Sequence, residues 1–182
     1  ETQEIYAPLA QRLGIRDWQE QLEDLSFKAI NPEARSSILD RLEYLNKEDK
    51  NIIDEISYEL KLIFQSENIN CEIYGRLKSP YSIWNKIKNK NISFEQLSDI
   101  MAFRVITNST RECYKALGII HRKFNYIQGR FKDFISSPKS NGYRSLHTSI
   151  IGPKNKRIEI QFRSNVMNQI ADFGVAAHWK YK

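Results

Sequence analysis

Apolar positions recur at helical spacing through the first third of the chain and change to alternation after Asn68. Residues 3–12 look like the end of a helix, broken by Pro8 and closed near Gly14. Residues 16–29 carry Trp18, Leu22, Leu25 and Phe27 at near-helical spacing. Asn31-Pro32-Glu33 is a helix start: a capping side chain, a proline whose missing N–H costs nothing there, and an acid near the positive dipole end. Ile38, Leu39, Leu42 and Leu45 give one apolar face, and Ile52, Ile56, Leu60 and Ile63 continue it. This predicts one long helix or two, with a break near Asn46. Beyond Asn68, Cys71, Ile73 and Gly75 alternate with Glu72, Tyr74 and Arg76, the pattern of a strand. Helical spacing returns over 80–89 and 110–122, with a β-prone run over 101–106 between them. Leu146–Ile151 and 157–162 read as two strands of a hairpin joined at Gly152, Pro153, Lys154 and Asn155, and 165–179 as a closing helix.

Helices first, then strands interleaved with helices, predict an α+β fold: a mixed sheet flanked by helices, preceded by a helical segment. The expected division is an N-terminal helical segment, 1–66, and a core, 67–182. No apolar run approaches the roughly 20 residues of a membrane span, so no membrane partner is expected. Cys71 and Cys113 form no close-spaced metal or redox motif. They are expected to be reduced core thiols, which points to the cytoplasm.

Charge sharpens this division. Residues 1–66 hold 8 Lys/Arg against 14 Asp/Glu, a net of −6, whereas 67–182 hold 20 against 8, a net of +12. A basic excess confined to one part suggests a polyanion site there, although a solvated lysine-rich surface has the same composition.

Three groups of residues could serve such a site. Gly75-Arg76-Leu77-Lys78 leaves a strand, and Ser82 and Lys86 follow four apart on one helix face. Planar Arg and point-charge Lys from two elements can bracket a triphosphate, with Gly75 allowing close backbone approach. A charged edge strand beside a solvated helix would look the same. Asp99 precedes an apolar run, and Glu159 sits mid-strand, sharing its face with Gln161, Arg157 and Arg163. Two acids on neighbouring strands suit magnesium, which takes one or two carboxylates plus substrate phosphates. A helix cap and a cross-strand Glu–Arg pair would account for them equally. The third group is Arg130, Lys132, Lys139 and Arg144, opposed only by Asp133, with the turn signal Asn141-Gly142 presenting Tyr143 as an exposed ring on which a base could stack. His147 follows on the next strand; a lone histidine is commonly structural. No hydrolytic triad, Walker A loop or Rossmann fingerprint is present, so nucleotide binding would use side chains on a sheet.

Together these segments resemble the synthetase domain of the RelA/SpoT family of guanosine tetra- and pentaphosphate (alarmone) enzymes. The resemblance rests on Tyr74-Gly75-Arg76-x-Lys78 with Tyr81-Ser82-Ile83, Asp99 ahead of Arg104-Val105, and Gly129-Arg130-Phe131-Lys132-Asp133. It continues through Pro138-Lys139-x-Asn141-Gly142-Tyr143-x-Ser145-Leu146-His147-Thr148, Glu159-Ile160-Gln161-x-Arg163 and Gly174-Val175-Ala176-Ala177-His178-Trp179. It implies a nucleotidyltransferase-like mixed sheet and a GTP/GDP pyrophosphokinase that moves the terminal diphosphate of ATP to the 3′-hydroxyl of GDP or GTP. Arg76, Lys78, Ser82 and Lys86 would handle the ATP phosphates. Asp99 and Glu159 would hold Mg2+, with Glu159 also a candidate for activating the 3′-hydroxyl. Tyr143 would stack on the acceptor guanine, and Lys132, Lys139, Asn141, His147 and Gln161 would line the acceptor side. Arg130-x-Lys132-Asp133 matches the basic version of a loop that bears on the choice between GDP and GTP. Leu77, Asn85 and Arg144 stand where the family commonly has Pro, a basic residue and Gln. Residues 4–15 look like the link that follows a hydrolase domain in long members. Hydrolysis is not expected of this chain, and any ribosome contact is expected only through domains outside it. Other readings are pyrophosphorylation of an RNA 3′ end and a degenerate, non-catalytic nucleotide- or RNA-binding module.

Overall fold

The computed structural model describes residues 1–48, 51–94, 97 and 100–173. A π-helical stretch, Thr2–Tyr6, leads into α1 (Ala7–Leu13), where Pro8 takes a first-turn position that needs no N–H. Gly14, in the left-handed conformation at φ 76°, ends α1. There follow α2 (Arg16–Ile30), α3 (Pro32–Glu48) and α4 (Ile52–Ser66). The long apolar face is thus divided between two helices, and α3 runs two residues beyond Asn46, where a break was expected. The remainder is β1 (Cys71–Leu77), α5 (Pro80–Lys90), β2 (Met101–Thr107), α6 (Thr110–Lys123), β3 (Lys132–Asp133), β4 (Leu146–Ile151), β5 (Arg157–Ser164) and α7 (Asn165–Phe173). The expected closing helix is described only as far as Phe173. Among the described residues no helix is long and apolar enough to cross a membrane.

The strands form one mixed sheet in the order β1-β2-β5-β4-β3. The β2–β5 pair is parallel and the other pairs are antiparallel. The expected hairpin is β4–β5, with Ser149 opposite Glu159 and His147 opposite Gln161. Strand alternation divides the sheet into two chemically distinct faces. On one face Phe103, Val105, Leu146, Ile150, Ile158, Ile160 and Phe162 are buried against Ile56, Leu60 and Phe64 of α4 and Ala116 and Ile120 of α6. Each such aliphatic or aromatic side chain contributes about 1.5–3 kcal/mol when fully buried. On the other face stand Arg76, Ala102, Arg104, His147, Glu159, Gln161 and Arg163. A smaller apolar cluster, with Phe27 from α2, Ile38 and Leu42 from α3 and Ile83 from α5, fixes the helices at the rim of that polar face.

Gly75 serves the apolar face. A Cβ there would collide with Ile53 of α4 and come within 2.8 Å of Phe103. The close approach inferred from the sequence is therefore helix-on-sheet packing and not backbone against phosphate. Gly75→Ala is expected to destabilise the fold by about 1–3 kcal/mol through overpacking. Urea unfolding would show this as a lower midpoint at unchanged slope, and an unchanged midpoint would count against the packing role. Both cysteines are free thiols: Cys113 is buried, and Cys71, half-buried, is pushed up to about 11 by burial.

Candidate active site

The polar sheet face opens into a cleft of about 320 Å³. Its floor is β5 and β4, its near wall the end of β1 and start of α5, and its far wall the 139–143 loop. Glu159 lies at the centre, its side chain only 16% exposed. Oε1 accepts from Gln161 Nε2 at 3.0 Å and lies 3.4 Å from His147 Nδ1, while Oε2 lies 3.6 Å from Lys78 Nζ. Burial works to raise the carboxyl's pKa. The hydrogen bond with His147, the charge of Lys78 and the Gln161 amide outweigh it and hold the group well below the usual carboxylate range. Burial pushes His147 the other way, below the usual imidazole value; the nearby carboxylate only partly opposes this, and Arg163 and Lys139 reinforce it. The two shifts favour a neutral His147 ring beside an ionised Glu159 carboxylate, 3.4 Å apart, over an ion pair.

Both shifts leave the folded state with fewer bound protons than the unfolded chain, so acid destabilises the protein. The loss is expected to begin as pH falls below the ordinary histidine value of 6.5 and to deepen below the ordinary carboxyl value of 4.5. Denaturant midpoints measured from pH 7.5 to 5 should fall less in His147→Gln than in the parent; equal slopes would count against this assignment.

The donor-side residues gather at the near wall. Arg76 and Lys78 leave β1 two residues apart, and Arg76 Nη1 donates to both oxygens of Glu20 on α2, at 2.9 and 2.8 Å. Ser82 lies in the first turn of α5, where the Ser79 side chain caps Ser82 N at 3.3 Å and donates to Ser82 Oγ at 2.9 Å. Lys86 is one turn on and faces an adjoining cleft that also contains Ser82. Asn85 faces that cleft too, its carbonyl accepting from Asn89 at 2.9 Å.

On the far wall, Asn141 Oδ1 accepts from Tyr143 N at 3.2 Å, and Gly142 takes the positive φ of 76° that the turn requires. Tyr143 departs from the exposed ring expected of it. It is half-buried, because its hydroxyl is tied to His147 Nε2 at 2.8 Å and accepts from Arg163 Nη2 at 2.8 Å. Lys139 Nζ lies over the rings of Phe134 and Tyr143, at 4.9 and 5.2 Å from their centroids. Lys132 pairs with His147 in register, exposed at the sheet edge, while Arg130 is half-buried in the preceding turn; neither lines the cleft. Asp133, the acid opposing that basic row, has a local job: Oδ1 accepts from Ile135 N and Ser136 N, at 2.8 and 2.9 Å. Asp99, the second expected metal ligand, lies outside the described residues.

The sequence reading placed Arg163 on the Glu159 face but gave it no role; strand parity was the signal available. Glu20 and Phe134 were also missed. Glu20 is 56 residues from its partner Arg76 and carries no local mark.

Fold and cleft together gather basic, acidic and aromatic side chains of a mixed sheet and its flanking helices around one cleft. The chain belongs to the RelA/SpoT family: the profile described as "Region found in RelA / SpoT proteins" matches residues 75–182. It is 48% identical over 182 residues to the GTP pyrophosphokinase rsh of Brucella melitensis, covering 100% of this chain and 24% of that protein. It is 41% identical to the GTP pyrophosphokinase of Escherichia coli, covering 98% of this chain and 24% of that one. The chain thus spans about a quarter of the length of these relatives. Among solved structures, small alarmone synthetase 2 from Bacillus subtilis matches with a TM-score of 0.56 and 30% identity, over 72% of this chain and 75% of that one.

Proposed function

We propose that the chain is an ATP:GTP/GDP pyrophosphokinase, transferring diphosphate to the 3′-hydroxyl of a guanosine nucleotide in alarmone synthesis. The observation that carries this reading is the half-buried carboxylate of Glu159, held in its ionised form and set between the Arg76 and Lys78 side and the Tyr143 side of the cleft. Arg76, Lys78 and Ser82 supply donors for the ATP phosphates, with Lys86 in reach of the same region. Incoming phosphates compete with Glu20 for Arg76. Tyr143 offers its ring to the acceptor base, and Lys139 and Asn141 border the same wall. In this reading Glu159 takes the proton of the 3′-hydroxyl as the oxygen attacks the β-phosphorus and AMP leaves. Fixed geometry and charge neutralisation supply most of the rate gain in such transfers.

Magnesium fits the donor set. Glu159 is an oxygen ligand held in its ionised form, the kind magnesium takes together with substrate phosphates. Glu159 and, on the family pattern, Asp99 would hold the ion. When bound, it offsets charge building on the transferred phosphates.

Incubation with β-labelled ATP, magnesium and GDP, GTP or tRNA tests this reading. Labelled guanosine tetra- or pentaphosphate is expected. Label on tRNA alone would favour RNA 3′-end modification, and no transfer would point to a binding module.

A further inference from the structure

Among Glu159, Gln161 and Arg163, which project from one face of β5, Arg163 is the deepest: it has no exposed surface, whereas the Glu159 side chain keeps 16%. A guanidinium has only donors and stays protonated throughout the range in which proteins fold. Arg163 Nη2 reaches two acceptors, Tyr143 Oη at 2.8 Å and Gln161 Oε1 at 3.1 Å. Its Nη1 reaches Asn168 Oδ1 of α7 at 3.4 Å.

The direction of the bonds beyond Arg163 follows from this and from the Glu159 carboxylate at the far end. Tyr143 Oη accepts from the arginine, which leaves its own proton for His147 Nε2, 2.8 Å away, as an Nδ1 proton facing Glu159 requires. That nitrogen is then bare, and the ring proton sits on Nδ1, facing Glu159 Oε1 at 3.4 Å. Gln161 turns its carbonyl to Arg163, so its amide NH2 faces the same Oε1 at 3.0 Å. Arg163 thus sets the amide orientation, and the hydroxyl rotor and histidine tautomer are held between Arg163 at one end and the Glu159 carboxylate at the other. Both branches deliver a donor to Oε1. Oε2, the oxygen facing Lys78, is left for the reaction.

We propose that Arg163 is a positioning residue for the transfer: it fixes the polarity of this hydrogen-bond circuit so that Glu159 meets the acceptor hydroxyl through Oε2. The proposal rests on Glu159 being the working carboxylate, and it distinguishes Arg163 from a buried arginine that merely fills space beneath the Tyr143 ring, 5.0 Å from its centroid.

The test is the nitrogen NMR spectrum of His147 in the nucleotide-free protein, assigned by comparison with His147→Gln. The parent should show Nδ1 protonated and Nε2 bare. Arg163→Met keeps the bulk and removes the donors, so the tautomer preference should weaken and an Nε2-protonated fraction should appear. Its kcat should fall by about 10–100-fold, as is typical when residues that orient a catalytic group are removed, with the KM for ATP within about twofold. Arg163→Lys, with one ammonium for two acceptors, should recover part of both. If Arg163→Met does not fold, Tyr143→Phe cuts one branch with the arginine in place and should produce the same weakening of the tautomer preference. An Nε2 proton in the parent overturns the proposal. So does a folded Arg163→Met, or a Tyr143→Phe, that shows no Nε2-protonated fraction. If Glu159→Gln proves active, the function reading fails by itself, and the tautomer measurement still decides whether the circuit exists.

Discussion

Glu159→Gln should reduce diphosphate transfer by at least about 10²–10⁴-fold, the range for losing a positioned proton acceptor. The substitution is nearly isosteric, and Gln can still accept from Gln161 and His147 through its carbonyl. What it loses is the negative charge that His147, Lys78 and Gln161 hold in place against burial. Folding should survive with a lowered unfolding midpoint, because the contacts that hold the carboxylate ionised outweigh its burial and part of them go with the charge. Circular dichroism and the unfolding midpoint check the fold, and transfer of label from ATP to GTP checks the chemistry. Activity near the parent's with an intact fold would remove Glu159 from the mechanism. Asp99→Asn is expected to act in the same direction on the family pattern.

Tyr143→Ala should raise the KM for GDP and GTP by about 5–150-fold, the equivalent of the roughly 1–3 kcal/mol that a base–aromatic stack contributes. The KM for ATP should stay near the parent's, because the cationic wall lies across the cleft. Tyr143→Phe separates ring from hydroxyl: it keeps the platform and breaks the bonds to His147 and Arg163. It should therefore leave the acceptor KM close to the parent's and lower kcat. An unchanged acceptor KM in Tyr143→Ala would remove the stacking role.

The fold was legible wherever one face of an element is buried. Strand β4 begins and ends at Leu146 and Ile151 as the alternation indicates, and β5 runs two residues past the expected 162. Strand β3 was not legible, because two residues carry no period and its place depends on pairing with His147 and Leu146. Local spacing likewise set Ser82 in the first turn of a helix, but could not show that the helix is braced through Ile83 against Phe27 of α2. The site was legible as a list of residue types and less so as contacts. Basic and acidic residues on alternating positions announce a cleft, whereas a bond spanning 56 residues, such as Arg76 to Glu20, has no trace in the order of the chain. Tyr143 is the instructive departure. A tyrosine after Asn-Gly reads as a rim residue, and only the depth of Arg163 draws its hydroxyl inward. Gly75 makes the same point from the other face: the sequence shows that space is needed there, and the packing of Ile53 shows what fills it.

The placing of β5 has a consequence for synthesis on the ribosome. This strand is the last to leave the tunnel among those described, yet it lies in the interior of the sheet, with β2 on one side and β4 on the other. Its parallel pairing joins Ala102 to Glu159, a contact far apart in the chain and slow to close. Until it inserts, β2 and β4 present unpaired edges to solvent, an opening for chaperones or for aggregation. The same insertion delivers Glu159, Gln161 and Arg163 together, so the polar face of the sheet is complete only once β5 is sealed between its neighbours.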